Sequence, residues 1–550
     1  MAVRFAGSET SKTLPAAFGP EAEGGARKMA WYESALFYHI YPLGLAGAPR
    51  KNDYSQPVHR LMDLLPWLGH IRALGCTGLY IGPLFESGSH GYDTTDYRKL
   101  DTRLGDNADL MRFVAACHEV GIRVILDAVF NHTGRDFFAF RDLLAHRESS
   151  PFRDWYCHVD FGGNNEYNDG FSYENWGGYN LLAKLNLRNP RVVEYHLESV
   201  RFWVKEFDID GLRLDTADVL DFDFMRRLRE TAAAVKPEFW LMGEVIHGDY
   251  SRWANDSILH AVTNYHLHKA LYSGHNDHNY FEIAHTVKRQ LDLGMGSRLY
   301  NFADNHDVER IRTKLRNPAH FLPVHVLLCT LPGIPSLYYG SEFGIEGRKE
   351  RGSDASLRPC LDLSGLLSQP NPYLDIIRAL GQVHAREQAL WYGDYRELQL
   401  TTTQYAFARG DLIITVNNGD SPAAFDLPGD GIYAGALSGR EARAEGGRLR
   451  VELPSCGGEI WIPQREGRPS YAPIARSIQP PAQPAAPSAP TPEPRRAASG
   501  KPYEDMTVSE LQAEILAKMA ANGPVTDRMR QDVLENVYHN SLLNWVRSFR

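Results

Sequence analysis

Residues 122–129 read IRVILDAV, a run apolar on both faces of a strand, and FNH (130–132) closes it with polar groups. A strand half open to water would alternate apolar and polar residues. A run apolar on both sides belongs to a parallel sheet covered by helices. Seven more runs of this kind lie around it: ALFYHIYP (35–42), TGLYIGP (77–83), IDGLRLD (209–215), EFWLMGEV (238–245), ILHAVTNY (258–265), LYNFADNHD (299–307) and IPSLYYG (334–340). Most are separated by segments with apolar residues at helical spacing, such as 107–119 (NADLMRFVAACHE) and 190–206 (PRVVEYHLESVRFWVKE). Strand and helix repeated eight times predict an α/β fold, a parallel sheet closed as a (β/α)8 TIM barrel. An open doubly wound sheet is the competitor. It would carry a glycine-rich phosphate loop after its first strand, and IYPLGLAG (40–47) is not one.

The chain of 550 residues is too long for one core and divides by pattern. Residues 1–30 are Gly- and Ala-rich and read as a flexible leader; the barrel occupies 31–388. The connection after the third run is too long for a simple loop. Its aromatic, Asn- and Gly-rich stretch predicts a small inserted domain over 132–189. From 389 to 464 the pattern turns to alternating strands (RELQLTTTQYAFA, DLIITVNN, LRVELP) with NNGD and PGDG turns, predicting an antiparallel β-sandwich. A Pro/Ala-rich linker follows over 465–502. Residues 503–550 read as a helical pair. Thr507 and Glu510 form a capping box, Leu511, Ile515 and Met519 line one helix, and Met529, Val533 and Val537 line the next. Two short helices bury little alone, so the reading gives this module a docking role, on the main body, on another copy of the chain or on a protein partner.

A net charge of −9 gives no basic surface for nucleic acid, and no apolar run is long enough for a membrane span. Six cysteines stand singly, with no disulfide framework, and the N-terminus lacks the apolar stretch of a secretory signal; both fit reduced thiols in a cytoplasmic protein.

Barrel enzymes carry their chemistry at the carboxyl ends of the strands. Those ends here hold Asp127, Asn131 and His132; Arg213 and Asp215; Glu244; and Asp304, His306 and Asp307. A charge closing an apolar strand is costly unless paired or used. One such Asp reads most simply as a salt-bridged strand end; several on successive strands point to a site. Arg213 and Asp215 are two residues apart, so both face the barrel interior, where the guanidinium would hold the carboxylate ionised. Glu244 stands on the next strand, where neighbouring negative charge would raise its pKa. An acid beside a carboxylate is what acetal cleavage needs. One protonates the leaving oxygen while the other attacks the sugar carbon, at a separation of about 5–5.5 Å if configuration is retained.

Seven segments resemble the motifs of the α-amylase family of glycoside hydrolases, in that family's order: HGYDTTDY (90–97), DAVFNH (127–132), LAKLN (182–186), GLRLDTAD (211–218), GEV (243–245), FADNHD (302–307) and GIPSLYYGSEFG (333–344). The resemblance spans about 31–462. It implies Asp215 as nucleophile, Glu244 as general acid/base and Asp307 as the third acid, holding ring hydroxyls. It also implies substrate contacts for Tyr92, as a stacking platform, and for Asp93, His132, Arg213, His306 and Arg310, with Asp127 as a brace. LAKLN is similar to the MPKLN segment of cyclomaltodextrinases and neopullulanases. Thr216 resembles members that favour α-1,4 bonds.

Endo-acting amylases carry Lys-His where this chain has Asp218-Val219, a departure that argues against starch liquefaction. No cofactor is implied. A structural Ca2+ is left open, with Asn131, Asn164, Asn165 and Asp169 as its donors. The resemblance thus leads to a retaining hydrolase of α-1,4 bonds in maltooligosaccharides or cyclodextrins. A glucanotransferase or α-glucosidase on the same site, including α-1,6 or trehalose-type substrates, is the alternative. A non-catalytic sugar-binding scaffold is a third reading, and the presence of all three acids argues against it.

Overall fold

A computed structural model describes residues 29–474, the stretches 506–522 and 525–535, and single positions at 476, 478, 503, 542 and 546. The leader over 1–28, most of the linker, and Val537 lie outside the described residues. Eight parallel strands close a barrel in chain order: β1 (Phe37–Ile40), β2 (Gly78–Ile81), β3 (Arg123–Val129), β4 (Gly211–Asp215), β5 (Trp240–Gly243), β6 (Ala261–Thr263), β7 (Leu299–Phe302) and β8 (Ile334–Tyr338), with β8 pairing back to β1. Each grows from one of the apolar runs. Phe37, Tyr80, Ile125, Trp240, Met242, Tyr300 and Ile334 fill the barrel interior. Trp240 stacks on Phe37 at 5.0 Å and on Tyr32 at 5.6 Å, closing the end away from the catalytic groups. At the opposite end Gly82 lies so close to β3 that a Cβ there would come within 2.4 Å of the Asp127 Cβ.

The amino end of β4 is pinned by Asp210, buried just ahead of it. Its carboxylate accepts from the Val124 N–H at 2.8 Å, His118 Nε2 at 2.7 Å and Arg123 Nη1 at 3.0 Å, and it pairs with Lys236 at 2.9 Å. Burial alone would raise this carboxyl; the donors outweigh it and hold it at about 2, against an ordinary 3.8. A depressed pKa stabilises the fold above the ordinary value, and that share is lost as pH falls toward 2. Asp210→Asn is therefore expected to cost about 2 kcal/mol at neutral pH. A lower urea midpoint, with a smaller loss on acidification than the parent shows, is the measurement.

Two excursions stand over the carboxyl ends. After β2, strands Phe85–Ser87 and Thr94–Leu100 pair and carry Tyr92 between them. After β3, the inserted segment forms a three-stranded antiparallel sheet from His132–Thr133, Asn175–Trp176 and Tyr179–Lys184, with helix Phe138–His146 packed below through Phe140, Tyr156 and Tyr173. The helix Pro190–Phe207 then returns the chain to the barrel wall. Asn189 caps its start, and Asp208 in the left-handed region ends it.

The C-terminal domain has eight antiparallel strands between Tyr395 and Pro463 that link into one sheet. The sheet doubles over itself: Phe425, Leu427, Leu449 and Val451 of one half pack with Ala406, Ile413 and Trp461 of the other, giving the expected sandwich. Strands Ala423–Pro428 and Arg448–Leu453 alternate buried and exposed residues, whereas Leu412–Asn417 is buried throughout. Its second face lies toward barrel helix Phe321–Thr330, and Arg409 locks the junction by donating to the carbonyls of Thr330, Leu390 and Gly393.

Residues 482–550 form a separate unit. There Val508–Asn522 and Asp527–Glu535 are helices, and the box closes in both directions: the Thr507 N–H donates to Glu510 and the Glu510 N–H to Thr507 Oγ. Leu511, Ile515, Val533, Leu542 and Val546 gather with Tyr503 and Met506 in a small core of the unit's own. Of the residues expected on the second helix's apolar stripe, Val533 is buried in this core, whereas Met529 is 43% exposed.

Candidate active site

Asp127 on β3, Arg213 and Asp215 on β4, Glu244 after β5 and Asp307 after β7 meet at the carboxyl end of the barrel. Arg213 is the hub. Its Nη1 donates to Asp127 at 2.9 Å and to Asp215 at 3.0 Å, while Nη2 lies 2.6 Å from Glu244. The two-residue spacing on β4 did turn Arg213 and Asp215 to one side, and the parallel register brings Asp127 beside Arg213 and Met242 opposite it. Asp127 braces the floor, accepting from the hydroxyls of Tyr80 at 2.8 Å and Tyr92 at 2.9 Å.

Asp307 forms the other side. Arg358 Nη2 donates to it at 2.7 Å, and His306 Nε2 lies 3.0 Å from its second oxygen. Its side chain is 34% exposed, against 10% for Asp215 and 5% for Glu244, so Asp307 opens furthest to solvent. Tyr92 stacks on His306 at 5.7 Å, and its hydroxyl meets the same ring. His132 donates to the Tyr92 carbonyl at 3.1 Å and accepts from Asn131; burial pushes it down to about 3, so it is a neutral imidazole.

Asp127, Asp215, Glu244 and Asp307 outnumber the guanidinium groups of Arg213 and Arg358. In so dry a place the excess negative charge is relieved by protonation. Burial pushes Asp215 up, and the carboxylates of Glu244, Asp127 and Asp307 add to this against Arg213. Burial likewise raises Glu244, with Arg213 opposing. Burial would raise Asp307 too, but His306, Arg358 and Arg213 outweigh it and hold that carboxyl well below its ordinary range. Arg213, 3.0 Å from Asp215, favours its ionised form as expected, but it works against burial and the neighbouring carboxylates. The arginine is shared with Glu244 and Asp127, so burial and like charge push both Asp215 and Glu244 above the usual carboxylate range.

Other expectations fail on geometry. Arg310 is fully buried beneath the cleft. It lies over the Tyr338 ring and donates to the carbonyls of Tyr339 at 2.6 Å and Leu357 at 2.9 Å, so it ties loops together and reaches no open space. The guanidinium at the cleft is Arg358, which no motif marks. Asp93 faces its own loop, accepting from the Ser89 N–H at 3.1 Å and Oγ–H at 2.8 Å. Three of the expected calcium donors are engaged: Asp169 holds Arg135 through both oxygens at 2.6 and 2.7 Å, and the Asn164 and Asn165 oxygens accept from the Gly170 and Tyr167 N–H groups. Among the described residues, His59, Asp106 and Asp109 have metal-ligand spacing, and Arg112 already pairs with Asp109 there. Tyr265 was also missed. Its hydroxyl donates to Glu244 at 2.9 Å and accepts from Asn305 at 3.3 Å. It ends the sixth run, so its place was readable even though no acid marked it.

Residues 64–392 match the family model described as alpha amylase, catalytic domain. The chain belongs to the α-amylase family of glycoside hydrolases. Like others of that family it is an enzyme by its relatives. It is 32% identical to a cyclomaltodextrinase of a Bacillus species over 444 residues, 74% of this chain and 77% of that protein. It is 30% identical over 471 residues to neopullulanase 2 of Thermoactinomyces vulgaris, 78% of each chain. Among solved structures, a cyclomaltodextrinase matches 78% of both chains with a TM-score of 0.71 at 26% identity. Among the described residues no helix is long and apolar enough to cross a membrane.

Proposed function

We propose that this α-amylase-family enzyme hydrolyses α-1,4-glucosidic bonds of maltooligosaccharides or cyclodextrins by double displacement, with retention. The observation that carries the reading is Arg213 held between Asp215 at 3.0 Å and Glu244 at 2.6 Å, which keeps the two carboxyls together on one guanidinium at the mouth of the barrel. Asp215 attacks the anomeric carbon while Glu244 gives its proton to the leaving glycosidic oxygen. Glu244 then takes a proton from water, and the resulting hydroxide displaces Asp215 from the β-glucosyl ester. Asp307, kept anionic by His306 and Arg358, accepts hydrogen bonds from ring hydroxyls. Tyr92, stacked on His306, offers an aromatic face to the same sugar, and the neutral His132, with both ring nitrogens engaged by Asn131 and the Tyr92 carbonyl, holds the Tyr92 loop in place.

The substrate class rests on the cyclomaltodextrinase and neopullulanase relatives and on Thr216 beside the nucleophile. A cytoplasmic setting is supported by the unpaired cysteines and by a relative named intracellular maltogenic amylase, from Bacillus subtilis, 30% identical over 356 residues. We assign residues 503–550 to contact with a second copy or a protein partner.

Incubation with maltotriose, β-cyclodextrin, pullulan, isomaltose and trehalose tests the reading. Maltotriose and β-cyclodextrin should yield maltose and glucose. Cleavage of isomaltose or trehalose alone would move the chain to another substrate class, and longer products accumulating from maltotriose would make it a transferase.

A further inference from the structure

Tyr179 is 67% exposed, the most exposed large apolar side chain among the described residues. It follows Gly177 and Gly178, with φ of 62° and 85°, a two-residue turn that needs positive φ at both places. The turn pairs Tyr179 directly with Trp176, and residues directly opposite in an antiparallel pair present their side chains on one face. The Trp176 ring lies parallel to His132, with centroids 6.4 Å apart and planes within 10°.

The hairpin is firmly held. The Asn175 amide donates to the Asn180 side chain at 2.7 Å, the Tyr173 hydroxyl donates to the Asn180 carbonyl at 2.7 Å, and Lys184 pairs with Glu174. These bonds hold the hairpin that carries Tyr179, whose hydroxyl has no partner among the described residues. Packing does not explain a large aromatic ring left in water at the tip of a held hairpin.

We propose that Trp176 and Tyr179 form a stacking track that leads from His132 out of the cleft and holds the stretch of α-glucan beyond the sugar being cleaved, setting a preference for longer chains. This deepens the reading of the site given above and rests on it. The C–H face of a glucose ring packs flat on an aromatic ring, and a Tyr so placed gives contact area at low entropy cost. Trp176 connects the two regions, with its ring beside His132 and its backbone paired to Tyr179.

The test compares kcat/KM for maltoheptaose with that for 4-nitrophenyl α-glucoside. It adds the affinity of the Asp215→Asn protein for maltoheptaose by calorimetry, with and without Tyr179→Ala. Tyr179→Ala should lower the maltoheptaose-to-glucoside ratio about tenfold and weaken binding by a similar factor, and Tyr179→Phe should keep both. An unchanged ratio and affinity in Tyr179→Ala, in an enzyme that cleaves maltoheptaose, overturns the track and leaves the proposed function standing. A parent enzyme that cleaves neither substrate sinks the proposed function; the track then stands only if maltoheptaose still binds and Tyr179→Ala weakens it.

Discussion

Asp215→Asn is expected to lower kcat by about 10⁴-fold or more on every substrate, because an amide at this place is too weak a nucleophile to form the glycosyl ester. The fold should survive. Arg213 keeps Asp127 at 2.9 Å and Glu244 at 2.6 Å, so the substitution leaves no buried guanidinium without a partner. The new amide can still accept from Arg213, and one fewer carboxyl relieves the crowding that burial and like charge impose there. Circular dichroism and the urea midpoint should match the parent. Turnover within tenfold of the parent would remove Asp215 from the chemistry.

Glu244→Gln is expected to divide substrates by leaving group. Maltotriose leaves poorly and needs the proton, so kcat/KM should fall by roughly 10³-fold; an activated aryl glycoside should lose far less in the first step. The pH profile carries a second signature. Burial holds Glu244 above the ordinary carboxylate range, so the proton-donating form is lost, and kcat/KM with it, as pH rises through that raised value. In Glu244→Gln, with the aryl glycoside, this alkaline limb should vanish. Equal losses on both substrate types, or an unmoved limb, would take the acid role from Glu244.

The barrel was legible because its signal is local. Each strand is a short apolar run such as IRVILDAV, and side-chain period and strand order need no distant partner to be read. Asp215, Glu244 and Asp307 were legible for a related reason: a carboxyl at the end of an apolar strand stands out wherever it occurs. Arg358 was not, because it lies in the loop beyond β8 and reaches Asp307 only through the fold, over the Tyr41 ring at 4.5 Å. Arg310 misled for the opposite reason. Its spacing from Asp307 is right, but spacing does not tell whether a loop arginine turns to the cleft or toward the carbonyls of Tyr339 and Leu357. The proton balance was also hidden. That Arg213 serves Asp127, Asp215 and Glu244 together depends on the register of three strands.

The central claim is that the Asp215 carboxylate bonds to the sugar while Glu244 manages the proton. A 5-fluoro-α-glucosyl fluoride, which slows the second displacement more than the first, should load the enzyme with one fluoroglucosyl group. Peptide mass spectrometry would then locate it. The account predicts the added mass on Asp215; label on any other residue, or steady turnover with no labelled peptide, would contradict it.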